Sequence, residues 1–157
     1  MRILIISDTH IDSIKNLPKI LISEIERSDA VFHAGDIVGK RGYNELLSLN
    51  KNLYAVRGNV DFMLDNLPTS LTVTINNLKI SITHGNRYHD IINGLLYEFA
   101  DSDIIIFGHT HHPYSKMVGE QYLINPGSTS KNRWKNKETY AILELTDINY
   151  NITFYEI

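Results

Sequence analysis

Three short apolar runs, separated by two helical patterns, occupy the first third of the chain and limit its fold more than any other feature. The runs at 2–6 (RILII), 30–34 (AVFHA) and 53–56 (LYAV) have the length and β-branched content of buried strands. Amphipathic helical patterns at 17–27 and 43–49 separate them. A strand–helix–strand–helix–strand order predicts parallel strands joined by right-handed crossovers.

The first helix can be predicted in more detail than the second. Leu17, Ile20, Leu21 and Ile25 fall on one helical stripe, which we expect to face the core. Asn16 precedes this stripe and is the predicted N-cap.

The remaining chain predicts a second sheet built from hairpins. Alternating runs at 71–75 and 78–83 flank Asn76-Asn77, a dipeptide suited to the positive φ of a tight turn. We expect a helix at 90–100, an apolar strand at 103–107, and further hairpins at 114–125 and 139–157. The prediction is a mixed α/β fold of two packed sheets, in one domain over residues 1–157.

Composition excludes several classes of function. The net charge of −3 offers no global positive field for a polyanion, so nucleic acid is a disfavoured partner. The chain has no cysteine, which excludes disulfides, thiolate metal sites and cysteine nucleophiles. No apolar run approaches the ~20 residues that a membrane-spanning helix needs. We therefore expect a cytoplasmic protein with no membrane partner; a homo-oligomer stays open.

Polar, metal-binding residue types follow one predicted strand after another, usually beside a glycine. In open α/β sheets, ligands bind at the carboxyl ends of strands, so we expect these side chains to gather at one rim. One such residue is usually a cap or a turn, but repetition at successive strand ends favours a metal site. These side chains offer more donor atoms than one ion can bind, which suggests two ions that share a carboxylate. The residues are Asp8, His10, Asp36, Asn59, His84, His109, His111 and Asn125.

The ordered motifs D-x-H, GD, GN, H and GHTH, spread from Asp8 to His111, resemble those of the calcineurin-like metallophosphoesterases. The early first motif and the NPGS at 125–128 are similar to the compact, single-domain YfcE-like branch. This resemblance implies a four-layer α/β/β/α sandwich and a dinuclear site. It implies one ion on Asp8, His10 and His111, a second ion on Asn59, His84 and His109, and Asp36 bridging both.

The same resemblance implies hydrolysis of a small phosphate ester, with a phosphodiester favoured. A hydroxide bridging the two ions would attack phosphorus, and Asp36, Asn59 and His84 are the expected catalytic residues. The imidazole-rich set favours Mn²⁺ and leaves Ni²⁺, Zn²⁺ and Fe²⁺ open. Asn86, Arg87, His112 and Ser128 are predicted substrate contacts.

Two positions depart from the family pattern. Nuclease-like relatives carry histidine after the GN asparagine, where this chain has Val60, and valine cannot protonate a leaving group. Asn86 stands where many relatives have the second histidine of HGH. Asp61, His89 or a bound water remain as sources of the proton. The alternatives to a phosphodiesterase are a nuclease and a non-catalytic scaffold resembling the small retromer subunit.

Two further features have competing interpretations. His33, within VFHAGD, is expected to be a hydrogen-bonded core histidine rather than a residue that orients the site. The basic run at 131–137, which contains Trp134, is expected to be an exposed loop rather than a surface for substrate phosphate or a partner.

Overall fold

The computed structural model of the protein describes residues 1–130, 137–146 and 149–157. The three apolar runs of the first third form parallel neighbouring strands, as predicted, and two helices connect them. Two later strands extend this sheet in antiparallel fashion, giving the order β10-β9-β1-β2-β3. The elements are β1 (Arg2–Ile6), α1 (Lys19–Arg27), β2 (Ala30–His33), α2 (Lys40–Leu49), β3 (Leu53–Ala55), β9 (Thr139–Leu145) and β10 (Tyr150–Glu156).

The second sheet also follows the predicted hairpins. Its first turn places Asn76 and Asn77 at φ 48° and 65°, the left-handed conformation that a tight hairpin requires. The strand order is β4-β5-β6-β8-β7, with β5, β6 and β8 parallel. The elements are β4 (Ser70–Ile75), β5 (Leu78–Thr83), α3 (Ile91–Glu98), β6 (Ile104–Ile106), β7 (Pro113–Val118) and β8 (Gln121–Pro126).

Three apolar clusters order the elements into four layers. Ile5 and Phe32 from the first sheet pack with Ile82 and Ile106 from the second, forming the core between the sheets. A second cluster joins α1 and α2 to the outer face of the first sheet, and a third joins α3 to the second sheet. The α/β/β/α sandwich implied by the resemblance is confirmed. In this arrangement, the carboxyl ends of β1, β2, β5 and β6 lie together at one rim.

The first helix differs from its prediction. It begins at Lys19 with Pro18 as N-cap, because residues Ile14–Asn16 form a separate 3₁₀ helix capped by Ser13. The prediction of Asn16 as N-cap is therefore wrong. So is that of Ile20 on the buried stripe, since this side chain is 49% exposed.

Glu24 is buried on this helix although it lies outside the predicted apolar stripe. Its carboxylate is only 2% exposed and pairs with Arg2 at 2.5 Å and with Arg27. Burial alone would raise the pKa of Glu24, but hydrogen bonds from the two guanidinium groups outweigh burial and hold this pKa below its ordinary value. A buried charge is tolerated here because two cations pair with it.

Most of the predicted basic run, including Trp134, lies outside the described residues. Lys137, at its end, pairs with Glu156 at 2.5 Å. None of the helices within the described ranges is long and apolar enough to cross a membrane.

Candidate metal centre

Backbone hydrogen bonds tie the loops after four strands into one unit at the rim. Within the first sheet, the Asp8 amide donates to Gly35 at 3.0 Å and the His10 amide donates to Asp36 at 3.0 Å. Within the second, the Gly108 amide donates to the His84 carbonyl at 3.0 Å. The two sheets meet where the His109 amide donates to Asp8 Oδ2 at 3.2 Å. Loops distant in sequence are thereby fixed against each other.

Asp8, His10 and His111 form a first cluster whose ligand atoms all lie within 4.8 Å of one another. Asp8 Oδ1 lies 3.1 Å from His111 Nε2, and the rings of His10 and His111 have their centroids 5.4 Å apart. Asp8 is fully buried, whereas His10 is exposed. The residues predicted for one metal ion are therefore brought together.

A second cluster surrounds the ring of His84. The His84 Nδ1–H donates to the Ala34 carbonyl at 2.7 Å, which leaves Nε2 as the ligand atom. Nε2 lies 3.1 Å from Asn59 Oδ1 and 3.4 Å from Asp36 Oδ2. The ring of His109 lies 5.2 Å away, centroid to centroid. All the residues predicted for the other ion are thus neighbours.

Asp8 is common to two groups of candidate ligands. Its ligand atoms lie within 4.8 Å of those of His10 and His111, and also within 4.8 Å of those of Asp36 and His84. Asp36 lies beside it, with its Oδ1 held by the Val60 amide at 3.0 Å. Bridging by Asp36 stays a prediction.

The chemistry of these atoms fits a cation. His84 Nε2 faces two oxygens that carry no hydrogen, so these three atoms require a cation between them, whether a proton on Nε2 or a metal ion. Asp8 Oδ1 is buried and accepts no well-formed hydrogen bond within the described part of the chain, although His111 Nε2 lies 3.1 Å from it. A buried carboxylate oxygen without a donor is costly, and a metal ion would relieve that cost. The residues present therefore fit divalent metal binding.

The backbone at this rim is unusually strained. Eight non-glycine residues within the described ranges have positive φ, and five of them are predicted ligands. Left-handed backbone costs an ordinary residue on the order of 1 kcal/mol or more and clusters at functional sites. Two more are the hairpin asparagines, and the last is Val38, close to Asp36. The five ligands are Asp8, His10, Asp36, His109 and His111.

Two of the motif glycines allow the loops that carry the ligands to approach one another closely. A Cβ atom at Gly58 would lie 2.1 Å from Asp36 Oδ1, and one at Gly108 would lie 2.0 Å from Ser7 Oγ. No side chain fits at either position, so the GD, GN and GH motifs are sterically coupled.

The acidic surroundings affect the histidines differently. The Asp8 carboxylate raises the pKa of His111. Burial alone would lower the pKa of His84, but the hydrogen bond with Asp36 and the charges of both carboxylates raise it overall. Burial and the neighbouring His84 lower the pKa of His109. The negative charge of Asp8 and Asp36 therefore favours a cation at this place, whether a proton or a metal ion.

Asp61 organises the centre in a way that the sequence did not reveal. It is 1% exposed. Its Oδ2 accepts the amides of Asp36 at 2.9 Å and Gly58 at 2.7 Å, and its Oδ1 accepts the amide of Val38 at 2.7 Å. One carboxylate thus joins the loop carrying Asp36 to the loop carrying Asn59. The only sequence signal was its place two residues after that asparagine.

Two buried residues support the ligand loops from behind. His33 accepts the Gly35 amide at 3.2 Å through Nδ1, and its Nε2 lies 3.0 Å from Thr9 Oγ1. Complete burial lowers the pKa of His33 to about 4, so the ring is neutral and hydrogen-bonded in the core, as expected. It also holds the ligand loops through these contacts, which is the alternative that the sequence disfavoured. Asn125, grouped with the ligands by sequence, instead donates to the Gly108 carbonyl at 2.7 Å and accepts the Gly127 amide.

The four predicted substrate contacts lie in different environments. Asn86 and Arg87 are exposed, and Arg87 pairs with Glu98 at 2.8 Å. His112 is exposed, with its Nδ1 2.6 Å from the Thr110 carbonyl. Ser128 is buried, and its hydroxyl donates to the Asp8 carbonyl at 3.0 Å, so it positions a candidate ligand. Substrate contact by these four residues stays a prediction.

Comparison with known proteins relates the whole rim to one family. A model of the calcineurin-like phosphoesterase superfamily domain matches residues 1–148. The chain is 37% identical over 133 residues to the probable metallophosphoesterase MJ0623 of Methanocaldococcus jannaschii, covering 82% of this chain and 68% of that protein. It is 33% identical over 141 residues to the phosphodiesterase MJ0936 of the same archaeon, covering 81% and 83%.

A solved structure shares the fold. Wild-type Vps29 of Entamoeba histolytica, complexed with Zn²⁺, is 27% identical and superposes with a TM-score of 0.81. The superposition covers 99% of this chain and 92% of that one. The chain is therefore similar both to proteins that are named as phosphoesterases and to a Vps29 protein.

Asp61→Asn tests whether this carboxylate positions the centre. An amide nitrogen cannot accept, so at least one of the three backbone N–H groups would lose its partner. We expect the free energy of unfolding to fall by about 1–3 kcal/mol, and Mn²⁺ affinity to fall about 10-fold or more. Urea unfolding and a Mn²⁺ binding titration measure the two effects. Asp65→Asn, an exposed neighbour, is the control; equal behaviour of the two variants would contradict the role.

Proposed function

Because the chain belongs to the calcineurin-like phosphoesterase superfamily, we propose that it is a phosphodiesterase with a dinuclear metal centre. The observation that carries the proposal is the convergence of metal-binding donor atoms on two adjacent points. Asp8 Oδ1 and His111 Nε2 define one, and His84 Nε2 with Asn59 Oδ1 and Asp36 Oδ2 defines the other. A metal site with a purely structural role would not need two adjacent groups of donor atoms.

The assignment of ligands follows the two clusters. Asp8, His10 and His111 would hold one ion, and Asn59, His84 and His109 the other, with Asp36 between them. A transition ion such as Mn²⁺ is proposed over Mg²⁺, because four of these seven ligands are imidazoles and Mg²⁺ prefers oxygen and water ligands. When bound, two such ions supply an acidic shared water as nucleophile and neutralise the charge on the phosphate oxygens.

The chain's own residues would orient this chemistry. Asp36 is held by the Val60 and Asp61 contacts, so its carboxylate cannot rotate away from His84. The Ala34 carbonyl fixes the ring of His84 with Nε2 towards the centre. Asn59 and His109 are exposed beside it and would face the entering substrate. Fixed donors of this kind spare the reaction the cost of reorganising them.

For protonation of the leaving group, this chain offers few residues that could donate the proton. Val60 occupies the position of the expected acid, and its backbone amide is already used by Asp36. Asp61 was a substitute candidate, but both of its oxygens accept backbone N–H groups, so it carries no proton to donate. The proposed enzyme therefore depends on leaving groups that need little protonation.

A non-catalytic scaffold is the second candidate, and the structural similarity to Vps29 favours it. Against it, every predicted ligand position in this chain carries a metal-binding side chain, and each lies at the rim. The relatives named as phosphoesterases support the enzymatic function.

Hydrolysis of bis(p-nitrophenyl) phosphate by metal-stripped and metal-restored protein tests the proposal. Stripped protein should be inactive, and Mn²⁺ should restore more activity than Mg²⁺, which prefers oxygen and water ligands. Asp36→Asn should lower kcat/KM by about 100-fold or more, because it weakens both metal positions. His112→Ala, outside both clusters, should change it little. A scaffold would show no metal-dependent hydrolysis, and equal losses in both variants would contradict the placement of Asp36.

Leaving-group dependence tests the missing acid. General acid catalysis is typically worth ~10²–10⁴-fold, and its absence matters most for poor leaving groups. We expect kcat/KM of the wild type to fall steeply as leaving-group pKa rises across a series of phosphodiesters. Val60→His should flatten the slope without changing metal content. A shallow slope in the wild type would show that another group already donates the proton.

A further inference from the structure

A polar cleft of about 460 Å³ opens beside the candidate metal centre on the side of Asn59. Arg57, Asn86 and Arg87 line it, and Phe62 forms part of its wall. Asn59 belongs both to this cleft and to the second metal cluster, so the cleft adjoins the candidate metal centre. A substrate whose phosphodiester lies on the metals would therefore extend one of its ester groups into this cleft.

The uncompensated positive charge of this cleft lies on Arg57. Asp61 also lines it, but its carboxylate is buried and accepts three backbone N–H groups. The Arg87 guanidinium is paired with Glu98 at 2.8 Å. For Arg57, by contrast, no carboxylate in the described part of the chain lies within ion-pair distance. An uncompensated, half-exposed guanidinium beside the centre is available to an anionic group of a substrate.

The backbone holds Arg57 in place at the cleft. Its amide donates to the Pro68 carbonyl at 2.7 Å, which ties the segment after β3 to the segment before β4. Two residues later, the same segment places Asn59 against His84. The backbone of Arg57 is therefore fixed relative to the metal centre, and its guanidinium offers a planar fork of N–H donors that suits a phosphate group.

Phe62 gives the cleft an aromatic surface. Its side chain is 83% exposed, although it follows directly after the buried Asp61. Burying this ring would be favourable, and the fold leaves it in solvent at the edge of a cationic cleft. An exposed ring in that position can stack on a nucleobase.

We propose that the cleft beside Asn59 is a subsite for a nucleotide that carries a second phosphate, with Arg57 binding that phosphate and Phe62 stacking on the base. The substrate class is then a nucleotide phosphodiester bearing an additional phosphate on the same nucleoside. This inference rests on the proposed function and narrows its substrate.

Calorimetric titration of the Mn²⁺-loaded protein with adenosine 3′,5′-bisphosphate, adenosine 5′-monophosphate and ribose 5-phosphate tests the subsite. The bisphosphate should bind about 10-fold or more tightly than the monophosphate, as a charge-assisted contact predicts. Arg57→Gln should abolish this ratio, and Arg57→Lys should retain much of it. Phe62→Ala should weaken both nucleotides, but not ribose 5-phosphate, by about 10-fold.

Lys79→Gln is the matched control, because this cation lies at the opposite end of β5 from His84 and pairs with Asp101. Equal affinity of the wild type for the two nucleotides would overturn the subsite. So would an unchanged ratio in Arg57→Gln, or an equal loss in Lys79→Gln. Calorimetry measures binding and does not depend on catalysis. A lack of bis(p-nitrophenyl) phosphate hydrolysis would therefore contradict the proposed function without affecting the comparison of nucleotide affinities.

Discussion

The complete burial of the Asp8 carboxylate, with one oxygen left without a hydrogen bond, is the constraint on which the rest of the site depends. A charge in such a place is expensive unless a cation compensates it. Ser7 and the His109 amide satisfy Oδ2 at 2.6 and 3.2 Å, so Oδ1 alone remains for a ligand. The loops around it adopt left-handed backbone at five candidate ligands, a cost that packing alone would not require. Metal binding gives a single reason for both features.

The strands and the gathering of ligands could be predicted because both follow from local rules. Short apolar runs mark buried strands, and residues just after parallel strands meet at one rim. This reasoning predicted, without any tertiary information, that Asp8, Asp36 and His84 lie close together, and in the structure they do. The steric role of Gly58 and Gly108 was predictable for the same reason, since glycine beside a ligand allows close backbone approach.

What the sequence could not predict depends on contacts between distant segments. Glu24 is buried only because Arg2, on the neighbouring strand, and Arg27 neutralise it. Asp61 acts through backbone N–H groups, which are present at every residue and leave no pattern in the sequence. Asn125 has a ligand's side chain but is used to hold the loop of Gly108. Side-chain type alone does not separate these uses.

The same sandwich serves proteins of different kinds, so fold alone does not decide between an enzyme and a scaffold. The proposal of an enzyme depends instead on the donor atoms at the rim, and it requires that two ions bind there. An anomalous difference map from Mn²⁺-loaded crystals measures this most directly. We predict two peaks about 3.5–4 Å apart, one against Asp8, His10 and His111 and one against Asn59, His84 and His109. A single peak, or none at this rim, would contradict the account.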